Sequence, residues 1–314
     1  MSDTASVLVT GAAGYIGSRV TKLLLDASHD VRAIDDFSEG TIRRIGDETV
    51  EEHDVRADDV GEMVAEADAV MHLAAVSGVQ DCDEHQRRAY DVNVRGTDDV
   101  AWHCREHETP LVFPCSMATL GDPVETPITA DHPRDPVNFY GVTKAMSEED
   151  VGWLADGAFP AHVFLKSNLY GHHTVGDRTI GKSTVINIFV EKALSGEPLT
   201  VHEPGTQARD FVHVKDVARA YLLSLDSLLD TGSTGSKTFP IAGGDCRSIL
   251  EIGEVVQRIV REERGIDVPI EMVENPRENE AVGADFTVDT SAAEETIGFE
   301  AEYTVERAVR EMVS

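Results

Sequence analysis

A tyrosine and a lysine four residues apart are the first residues in this sequence whose types and spacing indicate chemistry. They are Tyr140 and Lys144, in the stretch "NFYGVTKAM". In a helix this spacing puts both side chains on one face, one turn apart. An ammonium group near a phenol stabilises the phenolate and lowers the phenol pKa from its usual value of about 10. The pair is therefore a candidate general base, although an ordinary surface Tyr and Lys sharing a helix face would have the same spacing.

A glycine-rich turn near the start of the chain predicts a nucleotide site. The apolar run "SVLVT" is followed by Gly11, Gly14 and Gly17 and then by an amphipathic helix. Glycine lets the backbone approach a pyrophosphate closely, and a helix N-terminus offers free N–H groups. A second strand, "DVRAID", ends in Asp35, whose carboxylate would accept hydrogen bonds from an adenosine ribose and repel a 2′-phosphate. We therefore predict a dinucleotide site that prefers NAD to NADP.

Strands and helices continue to alternate through the first half of the chain. Apolar strands are predicted at "AVMHLAA", "PLVFPCS" and "AHVFLKSN", and long helices at about 84–107 and 138–156. This alternation predicts an α/β fold with a doubly wound, mostly parallel sheet, whose ligands bind beyond the carboxyl ends of the strands. Ser116 ends one of these strands and the Tyr140 helix follows it. We therefore expect Ser116 and Tyr140 to converge on one crevice.

The net charge of this chain excludes two classes of partner. The formal charge is −31, with 58 acidic residues against 27 Lys and Arg, of which only seven are lysines. A polyanionic surface repels nucleic acids and anionic membranes, so we expect neither as a partner. The acidic residues are spread along the whole chain, which argues against a single acidic binding segment. We interpret the charge as adaptation to a salt-rich cytoplasm, with an ordinary acidic protein as the alternative.

Cysteine and hydropathy patterns predict a reduced, soluble, cytoplasmic protein without a metal. The four cysteines show no CxxC spacing, the N-terminus lacks the pattern of a signal peptide, and no apolar run approaches the roughly 20 residues that span a bilayer. His103, Cys104 and His107 lie at helical spacing. Because no second ligand pair has a recognisable spacing, we predict no metal site.

Several motifs occur in an order that resembles a known family. They are TGxxGxxG, Asp35, "HLAA", Asn93, Ser116 and Tyr140-xxx-Lys144. In this combination the chain resembles the extended short-chain dehydrogenase/reductase family, and within it the nucleotide-sugar epimerase/dehydratase group. The resemblance runs from residue 5 to about residue 312. It implies a Rossmann sheet with a smaller C-terminal α/β substrate domain.

The resemblance implies an NAD site built mainly from the first half of the chain. The glycines would hold the pyrophosphate, Asp35 the adenosine ribose, and Asp54 with Val55 the adenine. Asn93 would tie the strand ends to the active-site helix. The full set of implied cofactor-binding residues is Gly11, Gly14, Tyr15, Ile16, Gly17, Asp35, Asp54, Val55, Leu73, Ala74, Ala75, Asn93, Tyr140 and Lys144.

The resemblance also implies the catalytic roles. Tyr140 would take a hydroxyl proton as general base, and Ser116 would hydrogen-bond the same oxygen. Lys144 would bind the nicotinamide ribose and, with the positive charge of NAD⁺, lower the pKa of Tyr140. These roles agree with the chemistry, because removal of a hydride from a carbinol carbon requires loss of the O–H proton.

The second half resembles the substrate side of the same group. Arg209 in "RDFVHV" and Arg277 in "NPRENEA" are the implied diphosphate contacts, together with Asn168. Two arginines suit a pyrophosphate because each offers a fork of donors to a dianion, although ion pairs with surface carboxylates are the alternative. Phe286 would fill the pocket that an N-acetyl group needs, which favours unacetylated hexoses.

The chain also departs from the family pattern at several substrate-side positions. Leu165 and Lys166 stand where the family usually has an arginine, and His172 replaces a usual proline. These departures leave the identity of the nucleoside open.

The residues after Ser116 decide between reactions within the group. Met117 and Ala118 cannot transfer protons, whereas members that dehydrate or decarboxylate carry acids there, and members that epimerise C3 and C5 carry a cysteine. The remaining Ser, Tyr, Lys and NAD suffice for epimerisation at C4 of a UDP-glucose-type sugar through a transient 4-keto intermediate. The alternatives are a net NAD-dependent dehydrogenase of a free sugar or uronate, and a non-catalytic NAD-sensing protein.

The resemblance finally implies two domains and a homodimer. The homodimer would form through the helices at about 84–107 and 138–156. The predicted NAD domain covers 1–167, rejoined by about 205–234, and the predicted substrate domain covers 168–204 and 235–314.

Overall fold

The computed structural model describes residues 4–275 and 285–314. Its strands are β1 (Ser6–Thr10), β2 (Asp30–Asp35), β3 (Arg44–Ile45), β4 (Glu48–Thr49), β5 (Glu51–Glu52), β6 (Ala69–His72), β7 (Leu111–Ser116), β8 (Pro160–Lys166), β9 (Asn168–Tyr170), β10 (His173–Val175), β11 (Arg178–Ile180), β12 (Leu199–His202), β13 (Ala208–His213), β14 (Gly235–Ile241), β15 (Cys246–Ser248) and β16 (Ile270–Val273). Its α-helices are α1 (Gly17–Asp26), α2 (Val60–Ala65), α3 (Val79–Glu84), α4 (Gln86–Tyr90), α5 (Gly96–His107), α6 (Phe139–Ala155), α7 (Val185–Leu194), α8 (Val214–Asp230), α9 (Ile249–Arg264), α10 (Ser291–Ile297) and α11 (Val305–Val313). None of these helices is long and apolar enough to cross a membrane.

A seven-stranded parallel sheet forms the centre of the molecule. Its strand order is β14-β8-β7-β6-β1-β2-β5, and every neighbouring pair is parallel. The inner strands are buried on both faces, which explains why they read as continuous apolar runs rather than alternating ones. Helices α1 and α8 contact each other, as do α2 with α5 and α5 with α6, and the two groups belong to separate apolar cores. The doubly wound α/β fold predicted from the sequence is confirmed.

Strand β14 corrects the domain boundary that we predicted at residue 235. We had assigned this segment to the substrate domain, but β14 pairs with β8 along its whole length. Residues 235–241 therefore belong to the central sheet. The apolar residues Phe239 and Ile241 are buried in the same core as the α1 and α8 side chains, which accounts for this position. The rest of the division into domains stays a prediction.

The long helix predicted at about 84–107 is divided into shorter segments. Helix α3 ends before His85, α4 follows it, and residues Asp91–Arg95 form a π-helical turn before α5. A π turn inserts an extra residue into the helical repeat and often marks a functional position. Here the turn contains the fully buried Asn93.

A third apolar core lies in the C-terminal part of the chain. Its buried side chains come mainly from α7, α9 and α11 and from strands β12 and β13. Strand β13 pairs with β9 and β15, and β12 pairs with β16. Helix α8 follows β13 directly and returns to the central sheet, where it contacts β6, β7 and β8. We call the elements around this third core the smaller layer. The chain returns from the smaller layer to the central sheet immediately after β13.

Candidate active site

One large crevice, of about 1470 Å³, collects almost all the residues that the sequence singled out. It lies beyond the carboxyl ends of β1, β2, β6, β7 and β8, where a doubly wound sheet binds its ligands. Of the predicted residues, Asn93 is buried behind the crevice wall, and Arg277 falls outside the described part of the chain. The predicted residues that line the crevice are Gly11, Gly14, Tyr15, Ile16, Gly17, Asp35, Asp54, Val55, Leu73, Ala74, Ala75, Ser116, Tyr140, Lys144, Asn168, Arg209 and Phe286.

The glycine turn between β1 and α1 has no room for side chains at two positions. A Cβ on Gly11 would lie 2.6 Å from the backbone N of Ala74, and φ there is +67°. A Cβ on Gly17 would lie 2.1 Å from the carbonyl oxygen of Gly11. Helix α1 begins at Gly17 with no side chain capping its first turn. This bare helix N-terminus fits a pyrophosphate.

A hydrogen-bonded chain holds the end of β6 against this turn. The Thr10 hydroxyl oxygen accepts hydrogen bonds from the backbone N–H groups of Leu73 and Ala74, both at 3.1 Å. The His72 ring contacts the Thr10 hydroxyl through Nδ1 at 2.9 Å and the Thr97 hydroxyl through Nε2 at 3.0 Å. Burial lowers the pKa of His72 to about 3, so the ring is neutral. These hydrogen bonds fix the backbone of Leu73 and Ala74. Thr10 and His72 belong to the TGxxGxxG and "HLAA" motifs, but the sequence analysis assigned no role to them or to Thr97.

The carboxylate of Asp35 is oriented by two backbone groups. It accepts hydrogen bonds from the N–H groups of Ala13 at 3.0 Å and Phe37 at 2.8 Å. Burial raises its pKa, and these two hydrogen bonds oppose that rise. The guanidinium of Arg43 lies 3.5 Å from the centre of the Phe37 ring and pairs with Glu52, so this nearby cation is already engaged. This arrangement of Asp35 and Arg43 favours an adenosine ribose with a free 2′-hydroxyl over one that carries a 2′-phosphate.

Asp54, which we predicted to contact the adenine, has an intramolecular partner. Its carboxylate accepts hydrogen bonds from the backbone N–H and the guanidinium of Arg56, and the side-chain bond is the main cause of its lowered pKa. The carboxylate is therefore ionised and held in place at the crevice wall.

Asn93 joins the loop after β6 to helix α6. Its side-chain oxygen accepts a hydrogen bond from Val76 N–H at 2.8 Å, and its amide donates to the Val76 carbonyl at 3.0 Å and the Thr143 hydroxyl at 3.1 Å. Its own carbonyl accepts a hydrogen bond from the Ser147 hydroxyl at 2.8 Å. The π turn places this residue where one side chain reaches two elements of the site.

Ser116, Tyr140 and Lys144 meet in the crevice, from β7 and α6. The Asn138 side chain caps α6 by accepting a hydrogen bond from the Gly141 N–H, which starts the helix just before Tyr140. Burial raises the pKa of Tyr140, and a hydrogen bond with the Ser116 side chain opposes the rise. Burial also lowers the pKa of Lys144 to about 8. The lowered Tyr140 pKa that we predicted is therefore not found in the protein alone.

The substrate-side residues approach the crevice from the smaller layer. Asn168 begins β9 and lies opposite Phe211 of β13. Arg209 is also on β13, two residues before Phe211. The guanidinium of Arg209 lies 5.5 Å from the centre of the Phe286 ring. The pairing of β9 with β13 brings Asn168 and Arg209 to one wall. Phe286 joins them because its N–H donates to the sulfur of Cys246, on the strand β15 that pairs with β13.

Two further lysines line the crevice, and sequence reasoning did not assign them a role. The Lys166 ammonium donates to the carbonyl oxygen of Cys115 at 3.0 Å, and the Lys182 ammonium donates to the Ser77 hydroxyl at 2.6 Å. With Lys144 they make three of the seven lysines in the chain. The scarcity of lysine was the signal that would have pointed to them.

A small group of possible metal ligands lies elsewhere, on α5. The ligand atoms of His103, Glu106 and His107 lie within 4.8 Å of one another, and the two end residues are neighbours on one helix face. The group is open to solvent and does not line the crevice. We assign it no role in the site.

Comparisons with known proteins agree with this geometry. The profile of the "NAD dependent epimerase/dehydratase family" matches residues 7–235. A UDP-glucose 4-epimerase of Halalkalibacterium halodurans is 30% identical over 313 residues, covering 95% of this chain and 91% of that protein.

Solved structures extend the likeness to the whole fold. A UDP-glucose 4-epimerase of Stenotrophomonas maltophila, with bound NAD and formylated UDP-arabinopyranose, has a TM-score of 0.86 at 24% identity and covers 98% of this chain and 97% of its own. MoeE5, in complex with UDP-glucuronic acid and NAD, has a TM-score of 0.79 at 25% identity, covering 97% and 96%. Family profile, curated relative and crevice agree, and the chain belongs to the NAD-dependent epimerase/dehydratase family.

Proposed function

We propose that this protein is an NAD-dependent epimerase that inverts C4 of a nucleotide-diphosphate sugar of the UDP-glucose type. The observation that carries the proposal is the meeting of Ser116, Tyr140 and Lys144 in one crevice, with Met117 and Ala118 as the next residues. Neither of these two side chains can transfer a proton. The crevice can therefore support reversible oxidation at one carbon, and it lacks the extra acid that dehydration requires at this position.

The crevice fits NAD, which supplies reversible uptake of the hydrogen on the reacting carbon. The glycine turn would hold the pyrophosphate, because a side chain at Gly11 or Gly17 would collide with backbone. Asp35 would accept hydrogen bonds from the hydroxyls of the adenosine ribose, and Asp54 with Val55 would face the adenine. Lys144 would reach the nicotinamide ribose.

Tyr140 would act as the base on the 4-hydroxyl of the sugar. The phenolate would receive the proton, and Ser116 would donate a hydrogen bond to the same sugar oxygen. Because burial raises the pKa of Tyr140 in the protein alone, we assign the lowering to the charge of NAD⁺ together with the Lys144 ammonium. On return of hydrogen to the other face of the 4-keto sugar, Tyr140 would give the proton back.

The diphosphate of the substrate would be held by Asn168 and Arg209, with Arg277 as a further contact. An anchored diphosphate would let the keto sugar rotate within the site, and so present its other face, without leaving the site. The curated relative named above is a UDP-glucose 4-epimerase, and MoeE5 holds UDP-glucuronic acid in one structure and UDP-glucose in another. These observations support a UDP sugar as the substrate class.

The test is a single incubation of the purified protein with UDP-glucose in molar KCl. Sugar identity is followed by NMR, and NADH by its absorbance. UDP-galactose forming without net NADH is the expected result. Accumulation of NADH on a free uronate or aldose, with UDP-glucose unchanged, would instead establish the second candidate, a net dehydrogenase.

We also propose that the protein is a homodimer that pairs through helices α4 to α6. Four large side chains on these helices are solvent-exposed, among them Trp153 at 76% and Trp102 at 49%. The other two are Tyr90 and Met146. Large exposed aromatic groups on neighbouring helices are typical of a contact with another protein surface.

Sedimentation of Trp153→Glu tests the homodimer. A charge in the contact would produce monomers, whereas the matched Leu229→Glu variant, on the exposed side of α8, would stay dimeric. A wild-type protein that sediments as a monomer in molar KCl would overturn this proposal.

The net charge of −31 supports two further parts of the proposal, a salt-adapted protein that works in the cytoplasm. Concentrated salt screens the repulsion between like charges that such a surface creates. The four cysteines are unpaired, and three of them are buried, which is the usage of a reducing compartment.

A further inference from the structure

The crevice holds an unusual share of the few lysines in this acidic chain. Lys144, Lys166 and Lys182, which we call the lysine cluster, all line it. Outside the crevice, Lys22 pairs with Asp26 and Lys215 with Glu311. The cluster instead combines three ammonium groups in one confined space.

Lys166 is the member of the cluster that lies closest to Ser116 in the sheet. It ends β8 and is the direct cross-strand partner of Ser116, which ends β7. The residue is only 6% exposed, and it lines the crevice. Among the residues that the structure describes, its ammonium hydrogen-bonds only to the Cys115 carbonyl, and an ammonium has three N–H donors. Two donors remain for a ligand beside the catalytic serine.

In the described part of the chain, no carboxylate balances the charge of Lys166. Burial, together with the neighbouring ammonium groups of Lys144 and Lys182, lowers its pKa to about 7, and only the Cys115 thiol group opposes this shift. No carboxylate within residues 4–275 and 285–314 contributes to this shift. Lys182 differs, because Glu39 and Asp81 favour its charged form. A buried cation without a partner is costly, so an anionic ligand would be the natural source of compensation.

We propose that Lys166 binds the carboxylate of a nucleotide-linked uronic acid and makes such a sugar the preferred substrate. This inference rests on the proposed C4 epimerisation and narrows its substrate class. A carboxylate offers the charge and acceptor oxygens that the free N–H groups of Lys166 need.

The position of Lys166 relative to Ser116 agrees with a carboxylate at C6. In the proposed reaction, Ser116 contacts the oxygen on C4, and C6 is attached to the adjacent carbon, C5. A group on C6 therefore lies close to the 4-oxygen, and neighbouring strands are only about 4.8 Å apart. The diphosphate cannot be the anion at this position, because it is attached at C1, on the far side of the ring from C4.

The experiment compares kcat/KM for UDP-glucuronate and UDP-glucose in the wild-type, Lys166→Met and Lys192→Met proteins. Lys192 is the matched control, since its ammonium also donates to an uncharged oxygen, that of the Thr200 hydroxyl, but outside the crevice. We expect the wild type to favour UDP-glucuronate by about tenfold or more. The ratio of the two constants should fall at least about tenfold in Lys166→Met and stay unchanged in Lys192→Met.

Two outcomes of this comparison would overturn the inference. One is a wild type that favours UDP-glucose. The other is a Lys166→Met variant that loses both activities equally, because a structural role would leave the ratio constant. Epimerisation of UDP-glucose in either case would leave the proposed function intact.

Binding separates this inference from the proposed function when turnover is absent. Calorimetric titration on a Tyr140→Phe background, with and without Lys166→Met, gives the dissociation constants of both UDP sugars. We expect Lys166→Met to weaken UDP-glucuronate binding at least about tenfold more than UDP-glucose binding. That result in a protein that epimerises neither sugar would disprove the proposed function and support the Lys166 site. Equal weakening would disprove the site.

Discussion

The meeting of the candidate catalytic residues in one crevice could be predicted from the sequence, but their ionisation could not. The spacing of Tyr140 and Lys144 requires only a helix, and that helix forms from Phe139 to Ala155. The lowering of the Tyr140 pKa is not found in the protein alone, because burial, which depends on the assembled crevice, acts in the opposite direction. For the same reason Lys166 was noted only as a departure from the family pattern: the role proposed for it comes from its burial beside Ser116 and not from any motif.

Removal of the Tyr140 hydroxyl should abolish proton transfer while leaving the cofactor in place. We expect Tyr140→Phe to lower kcat by about 10²–10⁴-fold, the usual contribution of a positioned acid–base group. NAD retained by the purified protein should be unchanged, because the glycine turn and Asp35 remain. Tyr90→Phe, which alters an exposed phenol outside the crevice, is the control. Turnover of Tyr140→Phe at close to the wild-type rate would disprove the role of Tyr140.

The pH dependence of stability should report the buried charge of Lys166. The pKa of Lys166 is about 7 in the folded protein, against an ordinary value of 10.5 in the unfolded chain. Between these two pH values the unfolded chain therefore binds more protons than the folded protein. Stability contributed by this residue therefore rises as pH increases from about 7 towards 10. We expect the unfolding temperature of the cofactor-free wild type to rise relative to Lys166→Met over that range. A relative gain of about 1 kcal/mol would shift it by roughly 2–4 °C.

The control for this pH comparison is Lys237→Met, because Lys237 is exposed on β14. Other titrating groups are common to the compared proteins and cancel in the difference. The unfolding temperature of Lys237→Met should follow that of the wild type across this pH range. Parallel curves for the wild type and Lys166→Met would show that Lys166 titrates normally.

At the scale of elements, the sequence predicted each strand of the βαβ alternation but not every partner. Apolar runs and glycine turns are local signals, and β1 and β2 begin and end where they were expected. The pairing of β14 with β8 joins residues that are 75 positions apart, and no local pattern reveals it. The π turn at Asp91–Arg95 was likewise hidden inside a periodic helical stretch.

The start of α1 should tolerate no side chain at Gly17. In Gly17→Ala the new methyl group would lie 2.1 Å from the Gly11 carbonyl oxygen, so the turn between β1 and α1 must open. We expect loss of bound NAD, measured by its release after denaturation, and a lower unfolding temperature. Gly232→Ala is the matched control, because no atom lies within 4 Å of the added Cβ. NAD content equal to wild type in Gly17→Ala would contradict the assignment of the turn.

At the scale of the whole molecule, two opposite distributions of charge coexist. The chain carries 58 acidic residues, yet three of its seven lysines line one crevice. A diphosphate or a carboxylate approaching the protein meets long-range repulsion, and only local cations can reverse it. Concentrated salt reduces the range of that repulsion to a few ångströms, whereas partly buried cations are screened less. Salt should therefore favour both folding and substrate binding.

Salt should therefore raise the unfolding temperature most steeply at low concentration. The Debye length falls from about 30 Å at 0.01 M to about 3 Å at 1 M, so most of the gain in KCl should come below about 1 M. A triple variant, Glu125→Gln, Glu197→Gln and Glu295→Gln, removes three exposed charges and should show a smaller gain than the wild type over the same titration. An unfolding temperature that is flat or falls with KCl would show that the net charge does not limit stability. An equal gain in the triple variant would assign the effect to salt acting on apolar surface instead, since that contribution does not depend on the number of carboxylates.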